Sequence, residues 1–207
     1  MTGPIALDLD GTLLDCRPRQ VALAAALHGP GLDEAAFWAA KREGATTRAA
    51  LEALGVDGER AARLARRWAA EVEDDRWLAL DAPLPGVAAA LTALREAGRD
   101  AVVLTARRRA DAVRRQVAAT GLGALVGAVE VVDPVNAAAD KATVLTRLGA
   151  AGFVGDTESD AAAAGTAGVP FAAVGGGQRS AAWLRAHGIA PVHADLASAL
   201  AALGAAG

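Results

Sequence analysis

Ile5-Ala6-Leu7-Asp8-Leu9-Asp10-Gly11-Thr12-Leu13-Leu14-Asp15 opens the chain with a short apolar run closed by a glycine. Such a run predicts a buried strand that gives way to a loop at Gly11. Side chains two apart on a strand share a face, so the spacing predicts Asp8 and Asp10 side by side. Two carboxylates then stand at the carboxyl end of a strand, the edge where open α/β sheets place their ligands. Carboxylates that close repel and shift each other's pKa, which a stable fold has no use for. A hard cation such as Mg2+, which takes oxygen ligands, gives the pair a use.

From Gly86 onward, apolar runs alternate with helix-forming stretches. The pattern predicts helices over 86–97, 108–120, 140–149, 158–167, 180–187 and 195–203. Strands are predicted over 100–105, 128–132, 151–155, 170–174 and near 191–193. This alternation predicts right-handed βαβ units and a Rossmann-like, doubly wound parallel sheet of the α/β class, covered on both faces. Residues 16–82 read differently, with Ala, Leu, Arg and Glu near helical spacing and no convincing strand. Helices are expected over 18–28, 33–42, 46–54 and 58–78, broken by Gly29-Pro30-Gly31, Gly44 and the Gly55–Gly58 turn. Trp38, Trp68 and Trp77 are expected in the core of this small bundle. Asp81-Ala82-Pro83-Leu84-Pro85-Gly86 reads as a stiff connection back. The expected organisation is a core of residues 1–15 and 83–207 with an all-helical insert at 16–82. The final Gly204-Ala205-Ala206-Gly207 is expected to fray.

A net charge of -3 gives no basic footprint for nucleic acid. The single cysteine, Cys16, excludes an intramolecular disulfide and reads as a small buried hydrophobe. Alanine-rich runs such as 161–164 are short and flanked by charge, so no membrane span is expected. Few residues precede the first strand, so no signal peptide fits and a cytoplasmic location is expected. A monomer or weak homodimer is the expected state. Only Lys41 and Lys141 among the 21 basic residues are lysines. A lysine where chemistry needs a compact ammonium therefore carries weight.

The stretch Asp8-Leu9-Asp10-Gly11-Thr12 resembles the first motif of the haloacid dehalogenase-like (HAD) hydrolases, Asp-x-Asp-Gly-Thr. Three further stretches match in the family's order. Val102-Val103-Leu104-Thr105 is an apolar strand ending in a hydroxyl, Lys141 opens a helical stretch, and Gly155-Asp156-Thr157-Glu158-Ser159-Asp160 matches the acidic fourth motif. The resemblance spans essentially the whole chain. The insert is similar to the helical C1-type cap of phosphoglycolate phosphatases and β-phosphoglucomutases.

The resemblance implies a Mg2+-dependent phosphatase acting on a small phosphorylated metabolite. Asp8 would be the nucleophile that carries an aspartyl phosphate, and Asp10 the general acid/base. Thr105 would bind phosphoryl oxygens and Lys141 would neutralise charge on the nucleophile and the transferring group. Asp8, Asp156 and the main-chain carbonyl of Asp10 would hold the Mg2+, with Asp160 orienting Lys141 or a metal-bound water. Asp10 separates the chain from true dehalogenases, whose pattern lacks a carboxylate there. Ala106 replaces the common Asn, so one side-chain contact is lost. Arg107 is open between a substrate or phosphate ligand and the start of a solvated helix.

The segment Lys41-Arg42-Glu43-Gly44-Ala45-Thr46-Thr47-Arg48 loosely resembles the basic specificity loop of capped relatives. Lys41 or Arg48 would then meet a polar or anionic group of the substrate, the alternative being a solvated helix end. Three other readings use related residues: a β-phosphoglucomutase-like sugar phosphomutase, a signalling receiver domain, and a catalytically silent phosphate-binding protein. Asp10, the Gly-Thr that follows it and the helical insert argue against a receiver. Substrate identity is not legible, because the fold and site give only the reaction class.

Overall fold

The structure, a computed structural model, describes residues 3–204. It begins with β1 (Ile5–Leu7) and the two-residue β2 (Leu14–Asp15). Helices α1 (Arg17–His28), α2 (Glu34–Arg42), α3 (Thr47–Ala53), α4 (Gly58–Glu71) and α5 (Asp75–Leu78) follow. After β3 (Ala82–Pro83) and α6 (Val87–Glu96) come β4 (Ala101–Ala106), α7 (Ala110–Ala119), β5 (Ala128–Val132) and α8 (Ala137–Leu148). β6 (Gly152–Gly155), α9 (Glu158–Ala167), β7 (Phe171–Val174), α10 (Ala181–Ala186), β8 (Val192–His193) and α11 (Leu196–Ala202) complete the chain. Of the stretch 204–207 expected to fray, residues 205–207 lie outside the described ones.

The main sheet runs β5-β4-β1-β6-β7-β8 with every neighbouring pair parallel. Successive strands go first to one side of β1 and then to the other. The order reverses beside β1, so a crevice opens at its carboxyl end. Ile5 and Leu7 pack on one face with Leu91 of α6, Val113 of α7 and Leu200 of α11. Ala6 faces the opposite layer, with Leu145 of α8 and Ala163 of α9. Burial on both faces explains why these strands read as unbroken apolar runs. This is the Rossmann-like α/β sheet that the alternating pattern predicts.

The helices between β2 and β3 surround a separate cluster that includes Phe37, Trp38, Leu51 and Val56, with Trp68 against its edge. Trp77 departs from expectation: it lies outside that cluster, with the Arg76 guanidinium 4.9 Å from its ring centroid. The helix expected over 58–78 is also two helices. Its break frees Glu73, whose carboxylate accepts from the backbone N–H groups of Arg108 (3.0 Å) and Arg109 (2.8 Å). Those donors lie just ahead of α7, so the insert places a carboxylate at the positive end of a core helix. The stiff connection at 81–86 contains β3, which pairs antiparallel with β2 and sets the two crossings side by side. Two residues, one of them proline, give no strand signal in sequence. Among the described residues no helix is long and apolar enough to cross a membrane.

Phe153 is fully buried in β6, edge-on to Phe171 at 5.9 Å between ring centroids. Phe153→Ala is expected to lower the unfolding free energy by about 3–5 kcal/mol. The change should appear as a lower urea midpoint at an unchanged m value. A loss under about 1 kcal/mol would mean that this layer reseals without the ring.

Candidate active site

β1 ends at Leu7, so Asp8 and Asp10 leave the strict alternation of a strand. The Asp8 N–H still donates to the Val154 carbonyl at 2.9 Å, which fixes it at the edge beside β6. Gly11 turns the chain with φ of +83°. A Cβ at this position would collide with the Asp156 carboxylate, so the approach of loop to carboxylate requires glycine. The Asp10 charge is among those that raise the Asp8 pKa, as expected of neighbouring carboxylates. Their hydrogen bonds nevertheless run into two separate networks.

The first network centres on Lys141. Its ammonium donates to Asp8 Oδ1 and to Asp160 Oδ1, each at 2.6 Å. Asp160 Oδ2 is taken by the backbone N–H and hydroxyl of Thr157, in the capping box that starts α9. With both oxygens engaged, Asp160 is placed to orient Lys141. Asp156, just past β6, accepts from the Gln178 N–H and faces the Thr12 hydroxyl at 3.5 Å. One carboxylate oxygen from each of Asp8, Asp156 and Asp160 lies within 4.8 Å of the others.

Three carboxylates against one ammonium leave this cluster two positive charges short. Burial pushes the Asp8 carboxyl up to about 7, with Lys141 opposing and Asp160 adding to the rise. Asp156 is driven well above the usual carboxylate range, by burial first and then by Asp8 and Asp160. Burial works against the Lys141 ammonium, but Asp160 and Asp8 outweigh it and raise its pKa. Buried, hard oxygen donors with this deficit fit a divalent cation such as Mg2+. The third expected donor, the Asp10 carbonyl, accepts from Gln178 Nε2 at 3.4 Å.

The second network holds the Asp10 side chain. Arg107 grips it through Nε (2.7 Å to Oδ2) and Nη2, and Arg19 Nη2 reaches Oδ1 at 2.8 Å. Burial raises the Asp10 pKa, but Arg107 and Arg19 outweigh it and hold the carboxyl down at about 2. Arg19 continues to Asp81 through Nε, 2.9 Å from Oδ2, and to the Val72 carbonyl through Nη1 at 3.2 Å. Gln116 Nε2 closes the chain on Asp81 at 2.8 Å. Arg107 is 5% exposed and sits on Asp10, so it is not the start of a solvated helix. Its Nη1 is buried and has no partner among the described residues.

Thr105 is the penultimate residue of β4 at the same edge and is buried. The two cap candidates separate. Arg48 is paired with Glu52 at 2.7 Å on the surface, its side chain 58% exposed. Lys41 is turned inward, bonded to the Thr47 hydroxyl at 3.3 Å and lying over the Trp68 ring. Burial, then Arg179, lowers its pKa to about 8. Arg42 and Arg179 stitch this part of the insert to the loop after β7. Asp8 (4%), Lys141 (4%), Thr105 (2%) and Asp156 (0%) are thus shut from solvent.

Sequence reasoning missed Arg19, Asp81, Glu73 and Gln178. For Gln178 a signal existed in Gly175-Gly176-Gly177, since a glycine run marks close backbone approach. A Cβ on Gly177 would strike both Asp156 and the Gly11 carbonyl. For the other three the signal is absent, because their partners are distant in sequence.

Among solved structures, the chain is similar to a protein from Lactobacillus delbrueckii subsp. bulgaricus provisionally named phosphoglycolate phosphatase. The two share 21% identity at a TM-score of 0.74, covering 99% of this chain and 100% of that one. A HAD family hydrolase from Deinococcus radiodurans, solved with phosphate and sodium, matches at 21% identity and a TM-score of 0.70, covering 99% and 97%. A haloacid dehalogenase-like family protein from Streptococcus pneumoniae matches at 15% identity and a TM-score of 0.73, covering 98% and 97%. No curated protein matches in sequence. At these identities the neighbours show the fold. The family model for haloacid dehalogenase-like hydrolases matches residues 5–168. That span runs from β1 past the end of α9 and takes in the insert and both charge networks, so the chain belongs to the haloacid dehalogenase-like hydrolase family.

Proposed function

We propose that this hydrolase is a Mg2+-dependent phosphatase that acts on a small phosphorylated metabolite through an aspartyl phosphate on Asp8. The observation that carries the reading is the Asp8–Lys141–Asp160 chain beside Asp156. It fixes one oxygen of Asp8 on an ammonium and leaves Oδ2 without a protein partner among the described residues. Asp8 Oδ2 attacks phosphorus as the bond to the leaving oxygen breaks, and that oxygen takes a proton from Asp10, which has bound one from solvent before Arg19 closes onto it. Water then attacks the phosphoaspartate, giving its proton to Asp10 and releasing phosphate and Asp8. Lys141, the Thr105 hydroxyl and the unpartnered Arg107 Nη1 offer donors for the charge on the phosphoryl oxygens.

Asp8, Asp156 and the Asp10 carbonyl would hold Mg2+, which when bound would supply the missing positive charge. Residues 16–82 act as a cap that closes over the site and excludes water. A neighbour bearing the phosphoglycolate phosphatase name and another solved with phosphate support a phosphate monoester as substrate.

Purified protein is expected to release phosphate from 4-nitrophenyl phosphate with Mg2+ and to stop in excess chelator. Asp8→Asn keeps the shape and removes the nucleophilic charge, so kcat should fall by several orders of magnitude. Full turnover in chelator would sink the metal requirement, and near-normal Asp8→Asn activity the covalent step. Sugar 1-phosphates with a bisphosphate primer should yield free phosphate. Efficient conversion to the 6-phosphate would favour the mutase instead.

Metal binding should also show a pH signature without turnover. Asp8 rises from 3.8 to about 7 on folding, so the folded metal-free chain binds the extra proton between those values. Stability of the metal-free protein therefore falls as pH rises through that window. Mg2+ needs the ionised carboxylate, so the Tm gain on adding it should grow from about pH 5 to about pH 7.5. A gain that is flat with pH would place the ion elsewhere.

Of the two cap candidates, the half-buried Lys41 is the one proposed to meet the substrate's non-reacting end. Against the best substrate from a panel of phosphorylated metabolites, Lys41→Ala should raise KM and leave 4-nitrophenyl phosphate nearly unaffected. Arg48→Ala should change neither. An equal effect of Lys41→Ala on both substrates would return Lys41 to a packing role.

A further inference from the structure

We propose that Arg19, a residue of the helical insert, is the positioning residue of Asp10 and ties the aim of the acid/base to the placement of the insert. The inference rests on the hydrolase reading above. Arg19 is among the largest fully buried side chains of the protein. Burying a guanidinium is expensive unless its donors are matched, and here they are matched at Nε, Nη1 and Nη2. Two of those contacts explain a structural role. Arg19 lies just past the outgoing crossing at β2, and Asp81 just before the returning one at β3, so their ion pair clamps the two crossings together.

The third contact is not needed for that clamp. Nη2 leaves the crossings and reaches the carboxylate two residues beyond Asp8, on the oxygen that Arg107 Nη2 also holds. Arg107 belongs to the end of β4 and stays with the core, whereas Arg19 travels with α1. Asp10 is therefore held by one hand from each part of the molecule. With both oxygens occupied in this closed arrangement, the carboxylate aims where the two guanidiniums set it. A shift of the insert moves one of them.

The test separates aim from stability by the leaving group. Proton delivery matters greatly for an alkyl phosphate and little for 4-nitrophenyl phosphate, whose leaving group departs as a stable anion. Glycerol 2-phosphate serves as the alkyl ester. Arg19→Met is expected to lower kcat/KM for the alkyl ester at least about tenfold more than for the aryl ester. Asp81→Asn, which loosens Arg19, should act in the same direction and less. In an Asp10→Asn background, Arg19→Met should add no further selectivity.

Equal losses on both esters, or the same selective loss without Asp10, would overturn the proposal. Arg19→Lys serves if the methionine variant does not fold. A single ammonium cannot meet Asp10, Asp81 and the Val72 carbonyl together, so a smaller selective loss is expected. If the wild type cleaves neither ester, the hydrolase reading has failed and the contact is judged by unfolding. The Tm losses of Arg19→Lys and Asp10→Asn should then be strongly non-additive, and additive losses would overturn it.

Discussion

The ammonium of Lys141, buried between Asp8 and Asp160, is the contact on which the catalytic edge depends. Asp8 comes from the loop after β1, Asp160 from the first turn of α9, and Lys141 from the second turn of α8. No pair of these is local in sequence. Without the lysine, three carboxylates would share a cavity sealed from water, and at least one would have to take up a proton. With it, one oxygen of Asp8 has a fixed direction. The close packing of α8 on α9 therefore sets where the ammonium stands relative to β1.

What the sequence made legible and what it hid divide along the same line. β1, β4 and β6 were readable because burial on both faces writes an unbroken apolar run, and their carboxyl ends carry Asp8, Thr105 and Asp156. Lys141 and Asp160 were readable from motif order, with α8 starting three residues before the expected position. Arg19 was not. It lies in a stretch of Arg17-Pro18-Arg19-Gln20 that reads as an exposed helix start, and only partners as far away as Asp81 make it a core residue. Glu73 was hidden for the same reason. A helical pattern continued through it, and the break is set by donors just ahead of α7, which no local period reveals.

The same contacts explain why the insert covers the site so fully. Along one side Glu73 accepts from the N–H groups just ahead of α7, and Arg108 and Arg109 return bonds to the Ala69 and Glu73 carbonyls. Along the other, Arg42 and Arg179 reach across to carbonyls of the opposite part. Most of these bonds are partly exposed and use groups that water can satisfy when they part, so each contributes modestly to holding the insert down. If the insert is the moving cap proposed above, closure built from many modest bonds suits a cover that must both seal and release.

Charge accounting then distinguishes the two halves of the site. Asp10 and Asp81 face Arg19 and Arg107, two negative groups against two positive, and that buried quartet is neutral within the protein. Asp8, Asp156 and Asp160 face Lys141 alone. The consequence appears in the carboxyls themselves: Asp10 is held down at about 2, while Asp8 is pushed up to about 7. One half is complete as folded, and the other is organised around a charge that the chain does not provide. Because that deficit lies beside the unbonded oxygen of Asp8, the group that fills it also decides when Asp8 is ionised. In this fold the demand for a cation and the ionisation of Asp8 are one electrostatic problem.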